Sequence, residues 1–237
     1  MMIDEIRKIT VDKNISFIGI GNLDDYSGQL SQYGYPVSKN YSRSISIGIP
    51  LINTIVDRLG EKSDISTIKL YRHFCYDLLN LKIDMVLVKI AALLHQAGYD
   101  ALPIQASKTV DRLRLFGLIS HKAAAYIAGL GWIGKSCLLI HEHVGPRARW
   151  GTVLTNAPLG ITGRPVEDKC RNCNVCVKSC PAGAFSGKNF NMNDKREIRY
   201  DAHKCDVYLS QMEEKTGYRV CGICIKVCPY GQNKVDK

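Results

Sequence analysis

Eight of the ten cysteines in this 237-residue chain fall in its last third. Cys170-x-x-Cys173-x-x-Cys176-x-x-x-Cys180-Pro181 is echoed by Cys221-x-x-Cys224-x-x-x-Cys228-Pro229, and Cys205 stands between the two runs. No other feature restricts the fold as strongly. Three thiolates two residues apart in a tight loop can grip one polynuclear metal centre. A fourth, on the short helix that follows, is carried away toward a second centre. Proline after that cysteine turns the chain and has no backbone N–H to donate.

The spacing C-x2-C-x2-C-x3-C-P is the one used by bacterial ferredoxins, and the ligand arithmetic closes for two [4Fe–4S] clusters. The ferredoxin rule gives Cys170, Cys173, Cys176 and Cys228 to one cluster, and Cys180, Cys205, Cys221 and Cys224 to the other. Cys205 breaks the simple repeat, sixteen residues before Cys221 instead of three. It is kept as a ligand because the second site would otherwise have only three thiolates. A zinc site usually shows two separated C-x2-C pairs. A disulfide framework suits small secreted chains. Neither pattern fits this spacing.

Length allows one large or two modest domains. The cysteine map divides the chain into residues 1–164, which hold only Cys75 and Cys137, and a cysteine-rich domain at 165–237. The N-terminal MMIDEIRKITVDKN lacks an apolar signal core, and no apolar run reaches the roughly 18 residues of a membrane span. A cytoplasmic protein with no membrane association is expected, and exposed clusters suit an anaerobe. The formal charge is +10. Residues 165–237 carry 13 basic and 9 acidic side chains, leaving +4 there and +6 on the remainder. Two clusters of about −2 each would neutralise the C-terminal part. The excess charge then lies on the N-terminal part, where it suits an anionic small-molecule substrate or an acidic electron donor such as ferredoxin or flavodoxin. No basic run with interleaved aromatics marks a nucleic-acid surface.

Along the N-terminal part, residues 1–13 read as a helix, Ile15–Gly21 and Ser44–Ile49 as strands, and 22–40, including Tyr33-Gly34-Tyr35-Pro36, as a loop. Residues 51–59 look helical. The longest helical pattern spans 65–97, with an apolar face of Ile68, Tyr71, Cys75, Leu78, Leu79, Met85, Val88, Leu93 and Leu94. Asn80 is a candidate break and Cys75 a core residue. Gly98 ends the helix, and a strand follows to Ile104. Ser120 can cap a small-residue helix that ends at Gly129. Cys137–Ile140 and Trp150–Thr155 read as strands. Without a regular βαβ rhythm, this part is expected to be α+β.

After the small-residue helix comes Gly129-Leu-Gly131-Trp132-Ile-Gly134-Lys135, whose three glycines permit close approach of a ligand or another chain. A helix precedes the glycines, so the stretch is not a dinucleotide fingerprint, and the Walker spacing is absent.

Ala128-Gly-Leu-Gly-Trp-Ile-Gly-Lys135, Leu154-Thr155-x-x-Pro158-Leu159, the two cysteine runs and Cys205-x-x-Tyr208-Leu209 together resemble epoxyqueuosine reductase, a relative of the reductive dehalogenases, over roughly residues 95–230. The resemblance implies a nitroreductase-like α+β domain that binds cobalamin, joined to a two-cluster ferredoxin-like domain. It implies that clusters feed single electrons to cobalt; a flavin is the alternative cofactor for such a domain. It places Gly129, Gly131, Trp132, Gly134 and Lys135 in the cofactor pocket. The family's acidic proton donor sits in a segment like Asp-x-x-Pro-x-x-Glu-Arg, and here that segment reads Leu115-Phe-Gly-Leu-Ile-Ser-His121-Lys122. His121 is therefore the candidate proton donor. Tyr126 is the second candidate, since related dehalogenases use a tyrosine hydroxyl. The family usually continues into C-terminal helical repeats that help hold transfer RNA, and a relative without them is expected. The expectation is a shorter relative with the same redox apparatus and a different substrate, with tRNA disfavoured but not excluded. The alternative is an electron-transfer protein that serves a partner's corrinoid or flavin.

Overall fold

The computed structural model describes residues 2–30, 34, 40–60 and 64–232. Of the expected Tyr33–Pro36 loop, all but Gly34 lies outside the described residues. The regular elements are α1 (Met2–Asp12), β1 (Phe17–Asn22), α2 (Ser27–Leu30), β2 (Arg43–Pro50), α3 (Asn53–Val56), α4 (Ile65–Arg72), α5 (Leu79–Gln96), β3 (Ala101–Ile104), α6 (His121–Ile127), β4 (Trp132–Ile133), β5 (Leu139–Ile140), β6 (Ala148–Thr155), α7 (Val175–Lys178), α8 (Ala202–Thr216) and α9 (Ile223–Lys226). A mixed α/β chain results.

Two compact units form. The first comprises Met1–Ile49, Leu79–Trp132 and Arg149–Glu167, and the second Pro50–Leu78, Ile133–Ala148 and Asp168–Lys237. The boundary expected after residue 164 falls three residues from the last of these seams. Pro50–Leu78 and Ile133–Ala148 join the second unit although they precede that boundary. Cysteine density marks only the ligand-bearing stretch. It gives no sign of the segments packed on it.

The first unit is built on a four-stranded sheet in the order β1-β2-β6-β3, with β1/β2 and β3/β6 antiparallel. The β1/β2 register sets Ile18 opposite Ile47 and Ile20 opposite Ile45, while Gly19 meets Ser46 and Gly21 meets Ser44. Side chains alternate across a strand, so one face is isoleucine and the other glycine and serine. The isoleucine face joins Ile83, Val86, Leu87, Ile90 and Leu94 of α5 and Ile6 of α1 in the main core. The small-residue face receives α6, whose Ala123, Ala124, Ala125 and Ile127 are buried. A Cβ on Gly19 would come within 3.0 Å of the Ala128 Cβ, so small residues on both sides allow this close approach. Pro103 lies in β3, an edge strand, where its missing N–H is tolerated.

The expected continuous apolar face over 65–97 holds only in part. Ile68, Tyr71, Cys75 and Leu94 are buried and Leu79 and Leu93 pack against the core, but Leu78, Met85 and Val88 are exposed, and α5 also buries Ile83, Val86, Leu87, Ile90 and Ala91. The cause is a π-helical turn at His73–Leu78. A π turn inserts one residue into the helical count, and every position after it moves round by one residue. Asn80, the candidate break, lies just beyond that turn and accepts a hydrogen bond from Arg149 Nε at 3.0 Å. Residues 51–59 supply only the single turn α3, and residues 22–40 contain the short helix α2 within the expected loop.

Candidate metal centre

The cysteine loops are shaped by local backbone chemistry. Asp168 Oδ1 accepts from the Cys170 N–H at 2.7 Å, and the Cys173 N–H returns to Cys170 O at 2.9 Å, closing a tight turn. Arg171 takes a left-handed φ of 46°, and Gly222 takes 84° at the same place in the second loop, directly after Cys221. One-turn helices follow each loop, α7 with Cys176 and α9 with Cys224. The longer α8, capped by Asp201 at the Lys204 N–H, carries Cys205.

Among the described residues, no three His, Cys, Asp or Glu side chains are placed to hold one metal ion. Cys170, Cys173, Cys176 and Cys228 instead line one recess, partly open to solvent, together with Lys135, Ser136, Ile140, Pro229 and Tyr230. Four thiols around a volume, not a point, fit a polynuclear cluster. Cys176 is pushed up to about 11 by burial and by Cys228, Cys170 and Cys173. The remaining four thiols form a second set. Cys221 is pushed up to about 11 by burial, with Cys205 and Cys180 adding to the shift. Cys224 is raised further by burial, then by Cys221, Cys205, Cys180 and Cys176. Cys176 is the member of the first set felt by the second, and helices α7 and α9 touch. Crowded, buried thiols resist ionisation until a cation arrives, so metal loading must release protons.

Two buried arginines and one part-buried tyrosine around these thiols carry no signature in the sequence. Arg147 pairs with Asp57 Oδ1 at 2.7 Å and donates to Asn53 Oδ1 at 3.1 Å; burial raises the Cys228 thiol, and the Tyr230 and Gly231 N–H groups and the Arg147 charge oppose that rise. Tyr200 hydrogen-bonds Cys205, and burial followed by that thiol raises its hydroxyl far above the usual tyrosine range. Arg199, 2% exposed, lies over the Phe190 ring and donates to Cys137 Sγ at 3.3 Å. Cys137 itself sits at a φ of 54° in the turn before β5, not within a strand.

The glycine-rich turn faces its own chain. Gly129, with a φ of 77°, lies against the backbone of Gly163 and Arg164, where a Cβ would come within 2.9 Å. Gly131 has a φ of 149° and Trp132 is 1% exposed. Gly134 backs onto Cys170, and a Cβ there would lie 3.1 Å from its sulfur. Lys135 is buried and donates to Arg171 O at 2.7 Å and Asn174 Oδ1 at 3.1 Å. Gly134 and Lys135 thus support a cysteine loop.

His121 opens α6. The Gln105 carbonyl can only accept, so Nε2 carries the proton and donates to it at 2.9 Å. Nδ1 then accepts from the Thr152 hydroxyl at 2.9 Å. Burial pushes the ring down to about 4; the Gln105 bond opposes this, and Arg149 and Lys122 add repulsion. A neutral imidazole with both nitrogens engaged ties α6 to β6. Tyr126, on the same helix, is half-buried, and its hydroxyl is raised by burial and by Tyr26.

Comparison with known proteins matches this site. The 4Fe-4S double cluster binding domain family matches residues 169–231. The cysteine-rich part of the chain is thus similar to double-cluster iron–sulfur domains. More particularly, the chain is related to epoxyqueuosine reductases and reductive dehalogenases. It is 35% identical over 150 residues to epoxyqueuosine reductase from Listeria monocytogenes, covering 62% of this chain and 38% of that protein. It is 29% identical over 174 residues to tetrachloroethene reductive dehalogenase from Sulfurospirillum multivorans, covering 68% and 31%. A solved reductive dehalogenase discussed in terms of B12-dependent dehalogenation shares the fold with a TM-score of 0.69 at 20% identity, over 98% of this chain and 32% of that one. The chain thus spans about a third of the length of these relatives.

Proposed function

We propose that this protein is an oxidoreductase that passes single electrons through two [4Fe–4S] clusters to a corrinoid, which acts on a small-molecule or anionic substrate. The observation that carries the reading is the division of eight thiols into two sets of four within one compact unit. Cys170, Cys173, Cys176 and Cys228 would hold one cluster, and Cys180, Cys205, Cys221 and Cys224 the other. Such clusters supply one electron at a time, with potentials set by charge, hydrogen bonds to sulfur and exposure. A ferredoxin or flavodoxin would supply the electrons, attracted by the positive excess.

Support for the corrinoid comes from the relatives. The turn residues Gly129, Gly134 and Lys135 are occupied with their own chain. His121 has no free nitrogen, which leaves Tyr126 as the better candidate to deliver a proton. The same two observations favour a second reading, in which the chain hands electrons to a partner's corrinoid or flavin. A nitroreductase-like first unit is proposed with the corrinoid reading.

Anaerobic titration of the reconstituted protein with hydroxocobalamin separates the readings. Saturable binding, followed by reduction of cobalt when dithionite-reduced protein is used, is expected. An intact two-cluster spectrum with no corrinoid binding would refute the first reading in favour of the second.

A further inference from the structure

Lys135 is 6% exposed, and its two bonds go to neutral acceptors, Arg171 O and Asn174 Oδ1. No carboxylate among the described residues pairs with it. A buried ammonium without a counter-charge is unfavourable unless something of opposite sign answers it. What Lys135 lines is the recess of Cys170, Cys173, Cys176 and Cys228. A cluster with four thiolates is an anion, and it gains one further negative charge on reduction.

The two thiol sets are electrostatically unequal. Besides Lys135, the first set has Arg147 beside Cys228, although that guanidinium is shared with Asp57. At the second set the Ala184 N–H, a neutral donor, reaches Cys180 Sγ at 3.4 Å. Tyr200 gives Cys205 a hydrogen bond from a neutral hydroxyl, weaker than a full charge.

Resting on the two-cluster reading above, we propose that Lys135 is a redox-positioning residue: it raises the reduction potential of the cluster at Cys170, Cys173, Cys176 and Cys228 above that of its neighbour, so that the first electron settles there. In the internal step the cluster at Cys180, Cys205, Cys221 and Cys224 loses one electron and returns to its oxidised state. The Lys135 cluster gains that electron. No bond breaks and no proton is needed, because the compensating charge is already in place.

The test is an anaerobic redox titration with dithionite, followed by electron paramagnetic resonance, on the whole iron-reconstituted chain. Two midpoint potentials are expected. The higher should vanish in Cys173→Ser and the lower in Cys205→Ser. Lys135→Gln should shift the higher potential downward and leave the lower in place, while Lys135→Arg should restore it. A Lys135→Gln protein with both clusters and an unmoved higher potential would overturn the proposal. So would loss of the higher potential in Cys205→Ser. If Lys135→Gln fails to hold its iron, Lys135→Met takes its place in the same titration, with the same expected downward shift and the same overturning result. A wild-type chain with fewer than two clusters would overturn the underlying reading together with this one, and the iron count shows that before any potential is measured.

Discussion

Arg171 and Gly222 occupy equivalent places in the two cysteine loops, and both are left-handed. The turn demands that conformation, and only glycine adopts it without strain. At Gly222 space is limited as well, since a Cβ would come within 2.7 Å of Leu59 Cδ1 and 3.1 Å of the Tyr71 ring. Gly222→Ala should therefore destabilise the protein by about 2 kcal/mol, read from the denaturation midpoint, and should weaken the cluster at Cys221 and Cys224. An unchanged midpoint would show that the loop can relax. His121 offers a second test. Its folded value of about 4 lies below the usual 6.5, so the unfolded chain takes up a proton between those values that the folded chain refuses. Stability from this group is constant above pH 6.5 and falls as pH drops toward 4, by up to about 3 kcal/mol. Urea midpoints at pH 7 and pH 5 should differ less in His121→Gln than in wild type. An equal difference would contradict the assignment. The cap at Ser120 was legible from residue type. The engagement of both His121 nitrogens was not, because Gln105 and Thr152 are distant in sequence.

Helix α5 shows what periodicity can and cannot reveal. Ile68, Tyr71 and Cys75 follow the helical count, and so do Ile83, Leu87, Ile90 and Leu94, but the two runs are out of phase by one residue. The π turn between them reconciles the phases. Sequence pattern assumes constant pitch, so a face extended from Tyr71 lands on Met85 and Val88, which are 59% and 58% exposed. Ile83→Ala should cost roughly 2–4 kcal/mol, whereas Met85→Ala should change stability by less than about 0.5 kcal/mol. Comparable losses in thermal or chemical melts would place both side chains in the core and remove the phase shift. The strands were easier to read. Alternation in Ser44–Ile49 reports its two faces directly, and the pairing of Gly19 with Ser46 shows why one face is made of small residues.

At the scale of the molecule, the cysteine runs announced the chemistry of the second unit, because thiolate spacing is a local property of the chain. The boundaries of that unit were hidden. Pro50–Leu78 and Ile133–Ala148 belong to it through packing and buried polar bonds, such as Lys135 to Arg171 and Arg147 to the Lys226 carbonyl at 3.3 Å. The +10 charge includes buried cations such as Lys135 and Arg147 that composition alone assigns to the surface. The division of thiols into two sets of four is the claim on which the rest depends, and Cys205 is its least regular member. The direct measurement is iron content and visible spectrum of anaerobically prepared protein, wild type against Cys205→Ala. Eight irons per chain in wild type, with one cluster lost or damaged and the other spared in the variant, are predicted. Unchanged iron and spectrum in Cys205→Ala, or a wild-type chain that holds zinc in place of iron, would contradict it.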